Sequence, residues 1–339
     1  MSQQHNDNHY VPQLYLKQWA IEGKVLAYRL LVQNPNVPQW KKYTPKGIAY
    51  YRHLYVYTYA KGETDEFERW LDSEFESPAK AAIERATTGQ RLTPRDWELL
   101  IRYLAAQDVR TPARLREFLV YQQEHLPSQL DEVLPRTLKQ LETQASLGLD
   151  IQVPTQQQLD SAPVKVTFEP HSDRPGGTIQ AKTLIGRKLW VDATRYVLQN
   201  VMPELMKHKW TIFTAPGDFE WSTSDDPVIR LDTLSKPYNF KGRWGGESGF
   251  ILLPLSPKHL LFTSFGQRMP PRGKKVSIEF AMQIEKIIVE HAYRYVFSTK
   301  KHDMRTRRPR IECAESFKEE EAIWKNWHRD QSHAERQLL

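Results

Sequence analysis

Pro12 fixes the backbone of the segment His9-Tyr10-Val11-Pro12-Gln13-Leu14-Tyr15-Leu16-Lys17-Gln18-Trp19-Ala20. A proline pushes the residue before it out of the α region, so His9-Tyr10-Val11 is extended. The same ring suits the first turn of a helix. Leu16 and Trp19 follow it at spacings of four and seven, on one apolar stripe. A helix this short holds only when such a stripe is buried. His9 is therefore aimed from a defined place, just before an anchored helix, and the polar leader from Ser2 to Asn8 is expected to be loose.

The chain of 339 residues is long enough to bury a large core, as one big domain or two ordinary ones. It is 40% hydrophobic, with ten Trp, fifteen Tyr and thirteen Phe, which places it among globular chains. No apolar run reaches the eighteen or so residues of a membrane span, and the first residues lack an apolar signal core, so a cytoplasmic protein without a membrane partner is expected. The single cysteine, Cys313, excludes an internal disulfide and a thiolate zinc cluster. A net charge of +7 leans toward a polyanionic partner, nucleic acid first among them.

The pattern along the chain predicts an α+β fold: a mainly helical array of long amphipathic helices with small antiparallel sheets. Residues 24–32, 39–46 and 53–59 read as strands. A helix runs from Thr64 or Asp65 to about Thr87 with a break or restart at Ser77-Pro78. Thr93-Pro94-Arg95-Asp96 is a capped helix start. Thr111-Pro112 begins another helix after an elbow, and residues 126–147 form a third. Residues 148–178, with Gln156-Gln157-Gln158, three prolines and Gly176-Gly177, read as an irregular connection. Further on, 184–208 is a helix kinked or restarted at Pro203, 209–214 and 219–222 are strands, 228–231, 250–254 and 259–263 extend a second sheet, 277–297 is one helix, and 317–331 is the last. The divisions are 1–150 (opening helix, small sheet and helical array), 151–178 (linker), 179–298 (helix, strands and long helix packing on the first part) and 299–339 (basic stretch and final helix).

Gln107 follows Leu100 by seven positions and returns to within about 20° of its direction on a helix. Its amide thus points with the apolar stripe, where an unpaired polar group costs about 1–3 kcal/mol. Arg110, one turn on, ends that helix at the elbow. The two residues either tie helices together or belong to a site. Ser224-Asp225-Asp226-Pro227 is explained equally by turn formation and by carboxylates that hold a metal. His9 offers general acid–base chemistry, metal ligation, or a buried structural role. His291 shares the stripe of Ile284, Ile287 and Ile288 and reads as core. Lys300, Lys301, Arg305, Arg307, Arg308 and Arg310 form a basic stretch that either binds phosphates or is a solvated linker. A Gly-rich phosphate loop, His-Glu-x-x-His and Gly-x-Ser-x-Gly are all missing.

The opening His-Tyr-Val-Pro-Gln-x-Tyr-Leu-x-x-Trp resembles the signature of a bacterial family designated domain of unknown function 4238. Glu76-Ser77-Pro78-Ala79, Leu104-Ala105-Ala106-Gln107 with Arg110-Thr111, Trp221 to Val228, and Leu253-Pro254-Leu255-Ser256-Pro257 resemble the same family in the same order. The resemblance brings no settled chemistry, and its members' scattered distribution suits a defence or stress role. It singles out Glu76 and Asp225 as motif residues; at Asp226 many members are expected to carry asparagine, so Asp226 is less essential. Two functional expectations follow. In one, His9, Glu76, Gln107, Arg110 and Asp225 converge into the site of a nuclease-like hydrolase, with Asp225 and Glu76 holding a divalent metal such as Mg or Mn, His9 moving a proton and Arg110 stabilising phosphate charge. In the other, these residues are a buried polar scaffold of a non-catalytic binding or regulatory module that works through the basic stretch.

Overall fold

The computed structural model describes residues 6–59, 62–150, 153–155, 162, 164–234, 237–246 and 248–338. The chain opens with strand β1 (Asp7–His9) and the short helix α1 (Gln13–Leu16), which a 3-10 turn extends to Trp19. Strands β2 (Val25–Arg29), β3 (Leu31–Val32), β4 (Trp40–Tyr43) and β5 (Tyr50–Arg52) follow, then the pair β6 (Tyr57–Tyr59) and β7 (Gly62–Thr64). Helices α2 (Glu66–Leu71) and α3 (Ser77–Thr87) are joined by a π-helical turn, Asp72–Glu76. The long helices α4 (Pro94–Val109) and α5 (Pro112–Ser146) meet at the Arg110-Thr111 elbow. After strands β8 (Val164–Pro170) and β9 (Gly177–Thr183) come α6 (Arg187–Tyr196) and α7 (Pro203–Met206), again with a π-helical turn between them, Val197–Val201. The last part holds β10 (Thr211–Thr214), β11 (Thr223–Ser224), β12 (Ile229–Leu231), β13 (Phe250–Ser256), β14 (His259–Ser264), α8 (Ile278–His291), β15 (Tyr295–Ser298), β16 (Ile311–Glu312) and α9 (Ala314–Leu338). The fold is α+β.

Two four-stranded antiparallel sheets organise the molecule, in the orders β10-β14-β13-β12 and β11-β15-β2-β4. In the first, neighbouring residues of β13 serve different cores. Ile251, Leu253 and Leu255 join the main core with α1, α3 and α4, whereas Leu252 packs with Phe262 and Ile284 of α8. A sheet covered on both faces needs a continuous apolar run rather than an alternating one, and Phe-Ile-Leu-Leu-Pro-Leu is such a run. The second sheet pairs β2 with β15, so residues near the two ends of the chain are hydrogen-bonded neighbours.

The opening segment is fastened as its apolar spacing requires. Tyr15, Leu16 and Trp19 are wholly buried. The Tyr15 hydroxyl donates to the Pro254 carbonyl (2.6 Å) and takes a hydrogen bond from Thr223 (2.7 Å), and the Trp19 indole N–H donates to the Trp221 carbonyl (2.9 Å). The capped start at Thr93 is also present: its hydroxyl accepts from the Asp96 amide (3.2 Å) while the Asp96 carboxylate accepts from the Thr93 amide (2.8 Å).

Several local expectations are corrected. Residues 7–9 of the leader form a strand that pairs with β5, with Asn8 buried; residues 2–5 lie outside the described part. The expected linker contains a seven-residue antiparallel ladder, β8 with β9, because Val164, Val166 and Phe168 alternate with polar residues and Gly176 takes φ 104° at the turn. Gln156-Gln157-Gln158 and Pro163 lie outside the described residues. Helix α5 runs through Pro127 and Pro135 as one element instead of two. The helix expected over 277–297 stops at His291, and Tyr295 belongs to a strand. Residues 219–222 form no strand; pairing starts at Thr223.

Candidate functional site

Four of the five expected site residues meet at the elbow between α4 and α5. Arg110, only 1% exposed, ion-pairs with Glu76, donates to the His9 carbonyl (2.6 Å) and reaches the Tyr55 hydroxyl (3.3 Å), which in turn donates to the Arg110 carbonyl (2.7 Å). Gln107 donates to the Tyr10 carbonyl (2.8 Å), and its own carbonyl oxygen has no partner among the described residues. The two side chains thus donate to successive carbonyls, those of His9 and Tyr10, just ahead of Pro12. Glu68 lies 3.6 Å from Arg110, and burial pushes its carboxyl up to about 8 against the pull of that guanidinium. The cluster is largely covered by protein, with Glu68 and Glu76 partly exposed at its edge. The His9 ring bonds the Lys46 carbonyl (3.1 Å), and burial lowers its pKa below the ordinary value.

Asp225 works elsewhere. Its carboxylate accepts from the amides of Tyr293 (2.9 Å) and Arg294 (2.8 Å), closing the turn between α8 and β15. Burial pushes it up to about 7 even though those amides favour the charged form. Among the described residues no three His, Cys, Asp or Glu side chains are placed to hold a metal ion. Glu76 is spent on Arg110 and Asp225 on two amides, so this donor pair does not fit a divalent ion.

The basic stretch is fastened rather than loose. Arg305 pairs with Asp303 (3.2 Å), Arg307 donates to the Asp303 carbonyl (3.2 Å), Arg308 to the Glu290 carbonyl (3.2 Å) and Arg310 to the Val37 carbonyl (2.7 Å). Lys300 lies 3.8 Å from Glu220, and Lys301 is exposed.

One turn beyond Arg110, a second polar group lines the floor of a cleft of about 1150 Å³. Asp108 sits in the last turn of α4 and Arg114 in the first turn of α5, each at the helix end whose dipole disfavours its charge. They offset that placement by pairing with each other at 3.2 Å. Asp108 also accepts from the Trp244 indole (2.6 Å) and lies 3.2 Å from Arg230. Asp226 accepts from Thr111 (2.8 Å) and lies 3.7 Å from Arg114. The remaining guanidinium nitrogen of Arg114 donates to Glu117 (2.9 Å). His291 bonds the Asp226 carbonyl through Nδ1 (2.9 Å), so the proton is assigned there, and Nε2 faces Arg114 (3.3 Å). Burial lowers the pKa of His291, so the ring is neutral at pH 7. Two arginines and two aspartates balance on this floor.

The rim does not balance in the same way. Arg116, Lys241 and Arg243 are exposed and have no carboxylate partner within ion-pair distance among the described residues. Arg308, from the basic stretch, also lines the cleft, with Phe118, Tyr121, Phe240 and Tyr293. Chemically the cleft offers cations and ring faces, with Glu117, Glu124 and Glu290 also in its lining, beside a nearly covered histidine.

Sequence reasoning misses most of this group. It reads His291 as core from a helical phase shared with three isoleucines, and the side chain is nearly covered; what the phase does not show is that this residue ends its helix and bonds the Asp226 carbonyl. It ranks Asp226 below Asp225, although Asp226 is the carboxylate that reaches the cleft. The legible signal is the opposed pair: an aspartate ending one helix and an arginine opening the next. No curated protein and no solved structure matches the chain. A family model described as "Protein of unknown function (DUF4238)" matches residues 7–302, which include the Arg110 cluster and the cleft floor, and the chain belongs to that family.

Proposed function

We propose that the chain is a nucleic-acid-binding module that seats the phosphates of a single strand along the cleft beside Arg114. The observation that carries this reading is a set of unpaired rim cations: Arg116, Lys241 and Arg243 stand exposed with no ion-pair partner among the described residues, while the nearby carboxylate of Glu117 is held by Arg114. Phosphates attract such cations through counterion release. The interleaved rings of Tyr121, Phe240 and Tyr293 suit the stacking of unpaired bases. The scaffold reading of His9, Glu76, Gln107 and Arg110 agrees with their hydrogen bonds, which end on protein.

A hydrolytic second reading rests on His291. With Nδ1 committed to a carbonyl and burial keeping the ring neutral, Nε2 is the acceptor beside the Arg114 guanidinium. In that reading it would take a proton from a nucleophile, and the arginine would stabilise charge developing on phosphate. The metal-assisted version drawn from the sequence has no supporting donor set, so no step is routed through a metal.

The test is fluorescence anisotropy with a labelled single-stranded dodecamer. The Lys241→Gln, Arg243→Gln double variant should bind at least about tenfold more weakly, with a shallower salt dependence. Unchanged affinity defeats the reading. Incubating the same strand with and without magnesium, and with His291→Gln, separates binding from cleavage: loss of cleavage at retained affinity would establish the hydrolytic version.

A further inference from the structure

A second cavity, of about 410 Å³, lies between α5 and the C-terminal helix α9. One wall is a single face of α5, carrying Leu115 and Leu119; the opposite wall is a single face of α9, carrying Ile323, Trp324 and Trp327. The space opens to solvent at Arg116, Glu319 and Ile323, while Leu115 and Trp327 at its base are buried. Here two apolar helix faces oppose each other and leave a space between them. An apolar cavity of about 150 Å³ already admits benzene, and sites for small organic ligands begin at about 300 Å³.

The polar groups at this cavity define what it would accept. Arg294 and Glu320 pair with each other (2.6 Å), so that part of the wall is neutral. The two charges without an ion-pair partner among the described residues, Arg116 on one side and Glu319 on the other, are exposed and of opposite sign. A single ionic head group of either sign would meet attraction from one and repulsion from the other. Trp324 is held in place by stacking on Tyr51, with centroids 3.9 Å apart and an interplanar angle of 11°, so the aromatic wall is preorganised. Residues 303–338, which supply the α9 wall, lie outside the span that the family model matches.

From these observations we infer that the cavity between α5 and α9 is a binding site for a small, uncharged, largely apolar molecule carrying a ring or acyl group. The site is separate from the cleft of the proposed nucleic-acid-binding function and does not depend on it, although Arg116 and Tyr293 border both.

The probe is N-phenyl-1-naphthylamine, which is uncharged and brightens in apolar surroundings, titrated into the full chain. A saturable rise with one site per chain is expected. The sulfonated, anionic analogue 8-anilinonaphthalene-1-sulfonate should bind at least about tenfold more weakly, because Arg116 and Glu319 cancel for it and its sulfonate loses hydration on entry. Leu119→Trp fills the space and should abolish the rise. Because a larger core side chain can also disturb folding, Ile323→Gln is the second variant; Ile323 is 59% exposed, so this change tests the cavity without emptying the core. It should weaken the probe several-fold with an unchanged circular dichroism spectrum. A non-saturable rise, equal binding of the two probes, or full binding by the Ile323→Gln variant would overturn the inference.

Discussion

The clusters around Arg110 and Arg114 hang from the same elbow, four residues apart, and they serve opposite ends. The Arg110 cluster turns inward: its donors cap the carbonyls of His9 and Tyr10, its charges pair, and protein covers it. The Arg114 cluster has an equally balanced set of buried charges but forms the floor of a large cleft whose rim carries exposed cations. Buried polar networks specify structure when each member is satisfied. The comparison teaches that an unusual motif marks what the fold requires, and that a binding surface can begin where the bonded network meets solvent. Here the two are separated by one helical turn.

Removing the first hub should have the largest effect. Arg110→Ala leaves the Glu76 carboxylate and the His9 carbonyl without their partner, and breaking a buried ion pair typically costs about 3–5 kcal/mol. Urea unfolding should show that loss, while the folded fraction keeps its affinity for a single strand. A loss of affinity without loss of stability would move Arg110 from scaffold to site and erase the distinction.

Asp225 sharpens the comparison through pH. Its carboxyl is held at about 7 by burial, above the unfolded value near 4, so the folded state keeps a proton that the unfolded chain releases. Stability from this group is therefore fully present below about pH 4 and falls as pH rises toward 7. Asp225→Asn cannot ionise and loses that dependence, though its amide offers a good acceptor to only one of the two amides. The wild-type advantage over Asp225→Asn should shrink between pH 4.5 and 7.5 by a few kcal/mol at most, since a tenfold difference in proton affinity is worth about 1.4 kcal/mol. A gap that widens with pH means the ionised carboxylate is the favoured form in the fold.

Gln107 gives a smaller effect because its two ends oppose. Leucine in its place removes the donor to the Tyr10 carbonyl but also removes an amide oxygen that has no partner among the described residues. A net loss of about 1 kcal/mol is expected on thermal or urea unfolding. A loss above about 3 kcal/mol would show that the amide oxygen has a partner after all.

What is legible in the sequence follows from local rules. Pro12 with Leu16 and Trp19, the Thr93–Asp96 cap, the elbow at Thr111-Pro112 and the inward-facing Gln107 each announce themselves within one or two turns of chain. The cleft is not legible as a whole because it gathers Asp108, Arg114, Asp226 and His291 across as many as 183 residues of sequence, and local spacing can pair only Asp108 with Arg114. Helical phase places His291 among covered side chains but says nothing of its partner, because a last-turn side chain can bond a neighbouring loop. The hairpin at 164–183 is hidden by the prolines and glycines around it, which mark its turn and its ends rather than an absence of structure.

Arg116 gives the smallest change in stability and the most direct test of the rim. Its side chain is exposed, and its hydrogen bond to the Tyr293 hydroxyl is long at 3.4 Å. Surface changes away from caps, cores and ion pairs usually fall within about 0.5 kcal/mol, so Arg116→Gln should unfold with the wild type. Each phosphate contact on a single strand contributes about 0.7 to the slope of log affinity against log salt. Arg116→Gln should lower that slope by about this amount and weaken binding at low salt more than at high salt, because the lost attraction is electrostatic. A drop in stability of more than about 1 kcal/mol would make Arg116 part of the scaffold and carry the inward-facing network out to the rim. A slope equal to that of the wild type, with stability intact, would leave the rim cations as an ordinary solvated surface and remove the contrast between the two clusters.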